Sequence, residues 1–149
     1  MKLAIARKLA LVLATVACAM VCTAATEPSF AQSSAARPKV VIQVSDSDNA
    51  KWNLALNNAR NIQADLGAAN VDVEVVAYGP GIGMLKIDSV VGGRIDEALT
   101  AGVKVVACEN TMKGQKLTQA DMLKGIGYVP AGVVEIMQKQ QQGWAYLRP

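Results

Sequence analysis

VKVVACENTMKG, residues 103–114, is the stretch of this sequence that decides the fold. Its first half is almost continuously apolar and β-branched, which predicts a short buried strand that ends at Cys108. The polar residues after Cys108 predict a turn that leads towards a helix. In open α/β sheets, ligands and reactive side chains collect where parallel strands end, so Cys108 is the first candidate for a functional residue.

Strand and helix patterns alternate on both sides of this stretch. β-branched apolar runs predict strands, and apolar residues at helical spacing predict helices, with N-cap residues at 45–48 before the longest one. The predicted strands are 39–44, 71–77, 103–108, a short one ending near 129, and 144–147. The predicted helices are 49–66, 93–101, 117–123 and 133–142, with a weaker one at 84–90. This alternation predicts one three-layer α/β/α domain with a mostly parallel sheet of about five strands.

The N-terminus has the composition of an export signal. Its basic head holds Lys2, Arg7 and Lys8, and an apolar run covers residues 9–21. That run is shorter than the roughly 20 residues that a membrane-spanning helix needs, so we expect no stable membrane insertion after cleavage. The pattern predicts a signal peptide over residues 1–31 and export to the periplasm.

Two sites fit the small-x-small rule for signal-peptide cleavage. The predicted site is SFA at 29–31, and TAA at 23–25 is the alternative. A lipoprotein with its lipid on Cys18 is a further alternative. Cleavage at the first site leaves a flexible leader, residues 32–38, and a single domain, residues 39–149.

Export leaves Cys108 as the one cysteine of the mature chain, because Cys18 and Cys22 leave with the signal peptide. A single cysteine forms no internal disulfide, so Cys108 is a free thiol or pairs with another chain. The sequence also contains no histidine. This excludes histidine-based triads, histidine general bases and zinc sites that need histidine.

Charge gives no sign of a nucleic-acid partner. Three basic residues and one acidic residue leave with the signal peptide, so the net charge falls from +3 to about +1. The remaining basic residues form no cluster, and a basic patch is the usual footprint of nucleic-acid binding. We therefore expect no nucleic-acid partner.

Two other polar motifs favour structural roles. Asp46 and Asp48 suit helix capping better than a metal site, because the sequence identifies no further ligands. The glycine-rich loop at 79–83 lacks the spacing of a dinucleotide fingerprint and the Lys-Ser/Thr pair of a P-loop. A tight turn, a pocket wall or a subunit contact is the favoured interpretation. We predict no metal and no cofactor.

Cys108 itself allows two interpretations. Its position alone favours a small buried hydrophobic residue, since unpaired cysteine is among the most buried residue types. In the other interpretation, backbone N–H groups after the strand, helped by Lys113 or Lys116, lower the pKa of the thiol and favour a reactive thiolate. Asn110 and Thr111 would then bind a group attached to the sulfur, with Asn110 as its support, although a turn or cap is the simpler role for both.

Four stretches of the mature chain resemble the DsrE/DsrF-like family of small α/β proteins. They are KVVIQVSDSD (39–48), VDVEVVAYGPGIGML (71–85), VKVVACENTMKG (103–114) and GYVPAGVVEIMQKQQQGWAYLRP (127–149). The resemblance implies association into trimers or hexamers, and a persulfide on the cysteine at the matching strand end, which is Cys108. It also implies a sulfur donor or acceptor protein as partner. The relay members are cytoplasmic, whereas this chain resembles an exported branch of mostly unassigned function.

Three functions remain open from the sequence. In the first, the chain is a periplasmic sulfur carrier or sulfurtransferase accessory protein, with Cys108 as the persulfide site and Asn110 as its support. In the second, it is a non-catalytic oligomeric binding or accessory protein, and Cys108 is structural. In the third, Cys108 is a redox sensor that forms a disulfide between chains. The sequence does not decide whether the chain is an enzyme.

Overall fold

The computed structural model describes residues 37–149, so the predicted signal peptide and residues 32–36 of the predicted leader lie outside the described part of the chain. The strands are β1 (Lys39–Val44), β2 (Asp72–Ala77), β3 (Lys104–Cys108), β4 (Gly127–Val129) and β5 (Ala145–Leu147). The α-helices are α1 (Asn49–Leu66), α2 (Gly92–Thr100), α3 (Glu109–Gly114) and α4 (Gly132–Gln141). Short 3-10 segments lie at Ala68–Asn70, Gly79–Leu85 and Gln119–Asp121.

The five strands form one sheet in the order β4-β3-β2-β1-β5, and every neighbouring pair of strands is parallel. The register places Val41 of β1 beside Glu74 of β2, and Glu74 beside Lys104 of β3. Because the helices connect parallel strands, all the strand-to-helix junctions lie along one edge of the sheet. The predicted α/β fold with a largely parallel sheet of about five strands is confirmed.

The first face of the sheet is covered by α1 and α2. Side chains along a strand alternate between faces, and Ile42 and Val75 point to this one. They pack in one large apolar core with Trp52 of α1 and Ile95 of α2. Ile42, Val75 and Ile95 are fully buried, and each such side chain stabilises the fold by about 1.5–3 kcal/mol.

The second face is covered by α4. Val41 and Val76 point to this face and form a smaller core with Ile136 of α4 and with Trp144, which precedes β5. The half-buried Val106 of β3 packs against the same core. This face therefore has a thinner cover than the first, and the alternation of β3 directs Cys108, two residues after Val106, towards it.

The predicted bounds of β1 and α1 are confirmed, and the other long elements differ by one residue at an end. The turn predicted after Cys108 is wrong, because α3 begins directly at Glu109. The N–H of Asn110 donates to the carbonyl of Pro130 at 3.1 Å. This tertiary contact stabilises the helix start, and local sequence gives no sign of it.

The weak helix predicted at 84–90 is also wrong, because the 3-10 segment Gly79–Leu85 takes its place. A Cβ atom on Gly81 would lie 2.3 Å from the carbonyl oxygen of Val44, so only glycine allows this segment to approach β1 so closely. The helix predicted at 117–123 is reduced to one 3-10 turn, which Thr118 opens with a capping box.

None of the helices between residues 37 and 149 combines the length and the apolar character that a bilayer crossing requires. Over the same residues, no three His, Cys, Asp or Glu side chains come together in an arrangement that could hold a metal ion.

Candidate functional site around Cys108

Cys108 is the last residue of β3 and the N-cap of α3, so its side chain lies at the carboxyl edge of the sheet. The first backbone N–H groups of a helix have no helical carbonyl partner. An N-cap side chain ordinarily accepts from the second or third helical residue, which here are Asn110 and Thr111. Cys108 makes no side-chain capping hydrogen bond of standard geometry, but its sulfur lies at the helix end where free N–H groups favour a negative charge.

The start of α4 closes the site from the other side. A Cβ atom on Gly132 would lie 3.3 Å from the Cβ of Cys108 and 3.1 Å from the Cβ of Tyr78. A larger residue at 132 would therefore push α4 away from the sheet. Since Asn110 also donates to Pro130 in the loop before α4, Cys108 is held between the first residues of two helices.

Burial raises the pKa of the Cys108 thiol, but hydrogen bonding outweighs burial and leaves this pKa below its ordinary value. The largest lowering effect comes from the Thr111 hydroxyl, followed by the backbone N–H groups of Gly132, Thr111 and Asn110. Asn110 contributes least, which agrees with the donation of its N–H to Pro130. These donors stabilise a negative sulfur, so the site favours the thiolate.

Cys108 is nevertheless only 5% exposed, and it is a free cysteine. Gly132 lies close to its Cβ, and the half-buried Tyr78 also lies close to Gly132. At this low exposure a reagent reaches the sulfur only when the structure around it moves. Asn110 is exposed, and its support of a group on the sulfur stays a prediction.

Thr111 connects the site to the glycine-rich segment. Its Oγ1 accepts from the N–H of Gly79 at 2.9 Å. The sequence favoured a turn or cap role for Thr111, with binding of a group on Cys108 as the alternative. It placed Gly132 only at the start of a helix and did not connect it with the sulfur. The signal for Thr111 was its position three residues after the strand end. A side chain at the third position of a helix lies close to the residue that caps the helix. Gly132 gave no comparable signal.

A cluster of charged side chains attaches α4 to the sheet. The Nζ of Lys139 lies 2.7 Å from Glu74 Oε2, 3.4 Å from Glu135 Oε1 and 4.3 Å from the centre of the Trp144 ring. Glu74 is 2% exposed, and its Oε1 is buried without a hydrogen-bond partner among residues 37–149. Burial raises the pKa of Glu74, and the pairing with Lys139 only partly offsets this. The cluster holds in place the helix whose first residue covers Cys108.

Clefts of about 200–350 Å³ lie on the described part of the chain, and two of them differ in their distance from the sulfur site. The first, of about 200 Å³, lies on the second face and is lined by two phenols, two carboxamides and two apolar side chains: Gln43, Tyr78, Val133, Ile136, Gln140 and Tyr146. The second, of about 210 Å³, lies between α1 and α2 near Val103, at the opposite end of β3 from Cys108. Tyr78 lines the first cleft and also lies close to Gly132, so this cleft is nearer than the second to the sulfur site.

Comparisons with known proteins agree with this architecture. The sequence profile of the DsrE/DsrF-like family matches residues 38–149. None of the curated proteins is similar enough in sequence to count as a match. Among solved structures, a protein of unknown function from Methanobacterium thermoautotrophicum, MTH1491, is 38% identical with a TM-score of 0.72. That alignment covers 75% of this chain and 99% of the other.

Two structures of lower identity share the fold. A conserved protein of unknown function from Bacteroides thetaiotaomicron, BT1422, is 18% identical with a TM-score of 0.60, over 74% of this chain and 94% of its own. The ychN protein from E. coli is 15% identical with a TM-score of 0.62, over 75% of this chain and 99% of its own. These two likenesses show the fold alone.

Proposed function

The chain belongs to the DsrE/DsrF-like family, as its sequence predicted, and from this membership we propose that it is an exported sulfur carrier or sulfurtransferase accessory protein. Cys108 is its persulfide site in this proposal. The observation that carries the proposal is the position of the free Cys108 thiol at the carboxyl edge of the sheet, at the end of β3 and the start of α3. The surroundings there lower the pKa of the thiol, and the thiolate is the form that attacks sulfur.

The transfer is a nucleophilic displacement between sulfur atoms, and it needs no external oxidant. The Cys108 thiolate attacks the sulfane sulfur of a donor such as an organic persulfide, R–S–S⁻. A new S–S bond forms on Cys108, the donor S–S bond breaks, and its electron pair leaves with the thiolate R–S⁻. An acceptor thiolate then removes the same sulfur by the same displacement. Histidine has no part in either step, which suits a chain without histidine.

Intact mass measured after brief exposure of the mature protein to polysulfide tests this proposal. We expect a gain of one sulfur, about 32 Da by atomic mass, that a reductant removes and that Cys108→Ser lacks. The unfolded protein, treated at the same pH, shows how a fully accessible thiol responds. Absence of the adduct in the folded protein, together with resistance of its thiol to alkylation, would contradict the proposal and assign Cys108 to the core.

The burial of Cys108 favours one alternative, a non-catalytic oligomeric binding or accessory protein in which the cysteine is structural. Here the cleft beside Tyr78 holds the ligand, and the sulfur only fills space. A Cys108→Ser protein distinguishes the two functions. We expect this variant to keep its assembly state under either function. If the protein is a non-catalytic binding protein, the variant also keeps the cellular phenotype of the wild type, and if it is a sulfur carrier, the variant loses it.

We also propose that the chain forms a homo-oligomer, a trimer or hexamer. Four apolar or aromatic side chains on α4 and β5 remain exposed: Val133 at 57%, Val134 at 41%, Met137 at 50% and Tyr146 at 42%. A contiguous exposed apolar patch is typical of an interaction surface. We expect light scattering to show an oligomer that Met137→Glu dissociates, whereas Gln138→Glu on the same helix leaves it intact. A monomeric wild type would contradict the proposal.

The proposed export to the periplasm rests on the composition of residues 1–31. We expect the mature protein in the periplasmic fraction, with a mass that begins at Gln32. A mass that begins at Thr26 would identify the alternative cleavage site. A full-length chain in the cytoplasmic fraction would contradict export.

A further inference from the structure

The cleft between α1 and α2 is a cavity that the proposed function leaves without a role. Its volume is about 210 Å³. Three buried apolar side chains form its floor: Leu56 and Ala59 of α1, and Val103, which precedes β3. Sites for drug-sized molecules measure about 300–1,000 Å³, so this cavity suits a smaller ligand with a short apolar body.

Charged side chains also line the cavity, and two of them are arginines. Arg60 of α1 is exposed, and Arg94 of α2 is half-buried. In the described part of the chain neither arginine forms an ion pair, whereas five other basic side chains do, including Lys139 with Glu74. Glu97 is the one carboxylate among the lining residues. Two positive charges and one negative charge therefore border the apolar floor.

The guanidinium of Arg94 is held in place by carboxamides and not by carboxylates. Its Nη1 donates to the backbone and side-chain oxygens of Asn53, and its Nη2 donates to Asn57 Oδ1 at 2.7 Å. Arginine has five N–H donors, so these three hydrogen bonds leave at least two donors for a ligand. Because a carboxamide carries no charge, Arg94 is positioned while its positive charge stays without a counterion. Such a guanidinium suits the two oxygens of a carboxylate.

We propose that the cavity binds a small monocarboxylate, with its short apolar body on the floor and its carboxylate against Arg60 and Arg94. Glu97 favours a ligand with a single negative charge, because it would repel a dianion more strongly. The cavity lies at the opposite end of β3 from Cys108. This binding site therefore goes beyond the proposed sulfur chemistry and does not depend on it.

Hexanoate is the probe that tests the inference, and the backbone amide NMR shifts of the folded mature protein measure its binding. We expect shifts in α1 and α2 around Ala59 and Ala98, with a dissociation constant of about 1 mM for so small a ligand. Hexanamide has the same apolar body without the charge, so we expect it to bind about tenfold more weakly. No shifts at about ten times the expected dissociation constant, or shifts confined to the exposed apolar patch of α4 and β5, would overturn the inference.

Variants of the lining test the charge and the shape of the site separately. We expect Arg94→Gln to weaken hexanoate binding about tenfold, because it removes a charge-assisted hydrogen bond. Glu97→Gln should strengthen binding about twofold, because it removes a repelling charge. Ala98→Leu should also weaken binding, because the larger side chain occupies part of the cavity. The matched control is Lys113→Gln, which removes an exposed positive charge outside the lining and should leave binding unchanged.

Three results with the variants and the amide would overturn the inference: equal binding of hexanoate and hexanamide, equal weakening by Lys113→Gln, or weaker binding in Glu97→Gln. If Arg94→Gln does not fold, Arg60→Gln gives the same comparison, with a weakening of about two- to fivefold for an exposed charge. Cys108→Ser should bind hexanoate as the wild type does. A failure of this inference is therefore distinguishable from a failure of the proposed sulfur transfer.

Discussion

The two faces of the sheet differ in what their helices cover. The first face, under α1 and α2, has a core of apolar side chains such as Ile42, Val75 and Ile95. The second face, under α4, carries the buried pair Glu74–Lys139 and the sulfur site. A buried charge pair and a thinly covered sheet both cost stability, and departures from ideal packing tend to mark functional regions. The comparison indicates that the first face supplies most of the stability, whereas the second face holds the site of the proposed sulfur chemistry.

The largest effect is expected from Lys139→Met, because it leaves the buried carboxylate of Glu74 without its cation. We expect the free energy of unfolding at neutral pH to fall by about 3–5 kcal/mol, measured by urea denaturation. Glu74→Leu combined with Lys139→Met removes both charges and should recover most of this loss. If the single variant is as stable as the wild type, the pair does not hold α4 on the sheet.

Gly132→Ala should have the next largest effect, because its Cβ would meet both Cys108 and Tyr78. We expect a loss of about 1–3 kcal/mol and a higher pKa of the thiol, since α4 and its N–H move away from the sulfur. Gly93→Ala in α2 is the control, because a Cβ there meets nothing within 4 Å. Because Gly93 lies in the first turn of α2, this variant should gain less than the roughly 0.5–1 kcal/mol of a helix interior, and it should leave the thiol unchanged.

Ile95→Val changes the core of the first face and tests whether the sulfur site on the second face is independent of it. The lost methylene should reduce the free energy of unfolding by about 0.5–1.5 kcal/mol. Because Ile95 packs only in the core of the first face, we expect thiolate titration of Cys108 to match the wild type. A shifted titration would show that the faces are coupled and would remove the distinction drawn between them.

The smallest effect concerns the pH dependence of stability. The pKa of Glu74 is raised above 4.5 in the folded state, chiefly by burial. Above pH 4.5 the folded chain therefore binds more protons at Glu74 than the unfolded chain, and this group lowers the free energy of unfolding as pH rises through its folded-state pKa. Glu74→Gln has no carboxyl group to titrate at this position, so it lacks this contribution to the pH dependence of stability.

Urea denaturation at a series of pH values measures the difference. We expect the stability of the wild type to fall relative to Glu74→Gln as pH rises from about 4 to about 8. Burial lowers the pKa of Lys139, but its carboxylate neighbours raise it further, so Lys139 stays charged throughout this range. Parallel pH profiles for the two proteins would contradict the expectation.

The sequence predicted the fold well because local patterns determine most of it. β1 is a nearly continuous apolar run, and α1 begins after the Asp48 cap and ends at Leu66, before Gly67 with φ +83°. The placement of Cys108 at a strand end followed from the same kind of local signal. Where one short stretch contains both the pattern of a strand or helix and the residue that ends it, the sequence alone predicts that element.

The environment of the sulfur could not be predicted, because it depends on contacts between distant parts of the chain. Gly132 meets Cys108 only after the β4–α4 connection folds back over the sheet edge. Glu74 similarly occurs in an alternating strand pattern, yet it is buried because Lys139, 65 residues away, pairs with it. These are pairings of residues, and a single sequence without known contacts does not reveal them.

The two tryptophans of the chain are divided between the two cores. Trp52 lies in the first core, with its indole N–H donating to the carbonyl of Asp46 at 2.6 Å, and Trp144 lies in the second beside Lys139. Indole fluorescence depends on the polarity around the ring, so each tryptophan reports on its own face. Trp52→Phe would leave an emission signal from the second face alone. Stopped-flow fluorescence of that variant could then time the lifting of α4 separately from the unfolding of the whole domain.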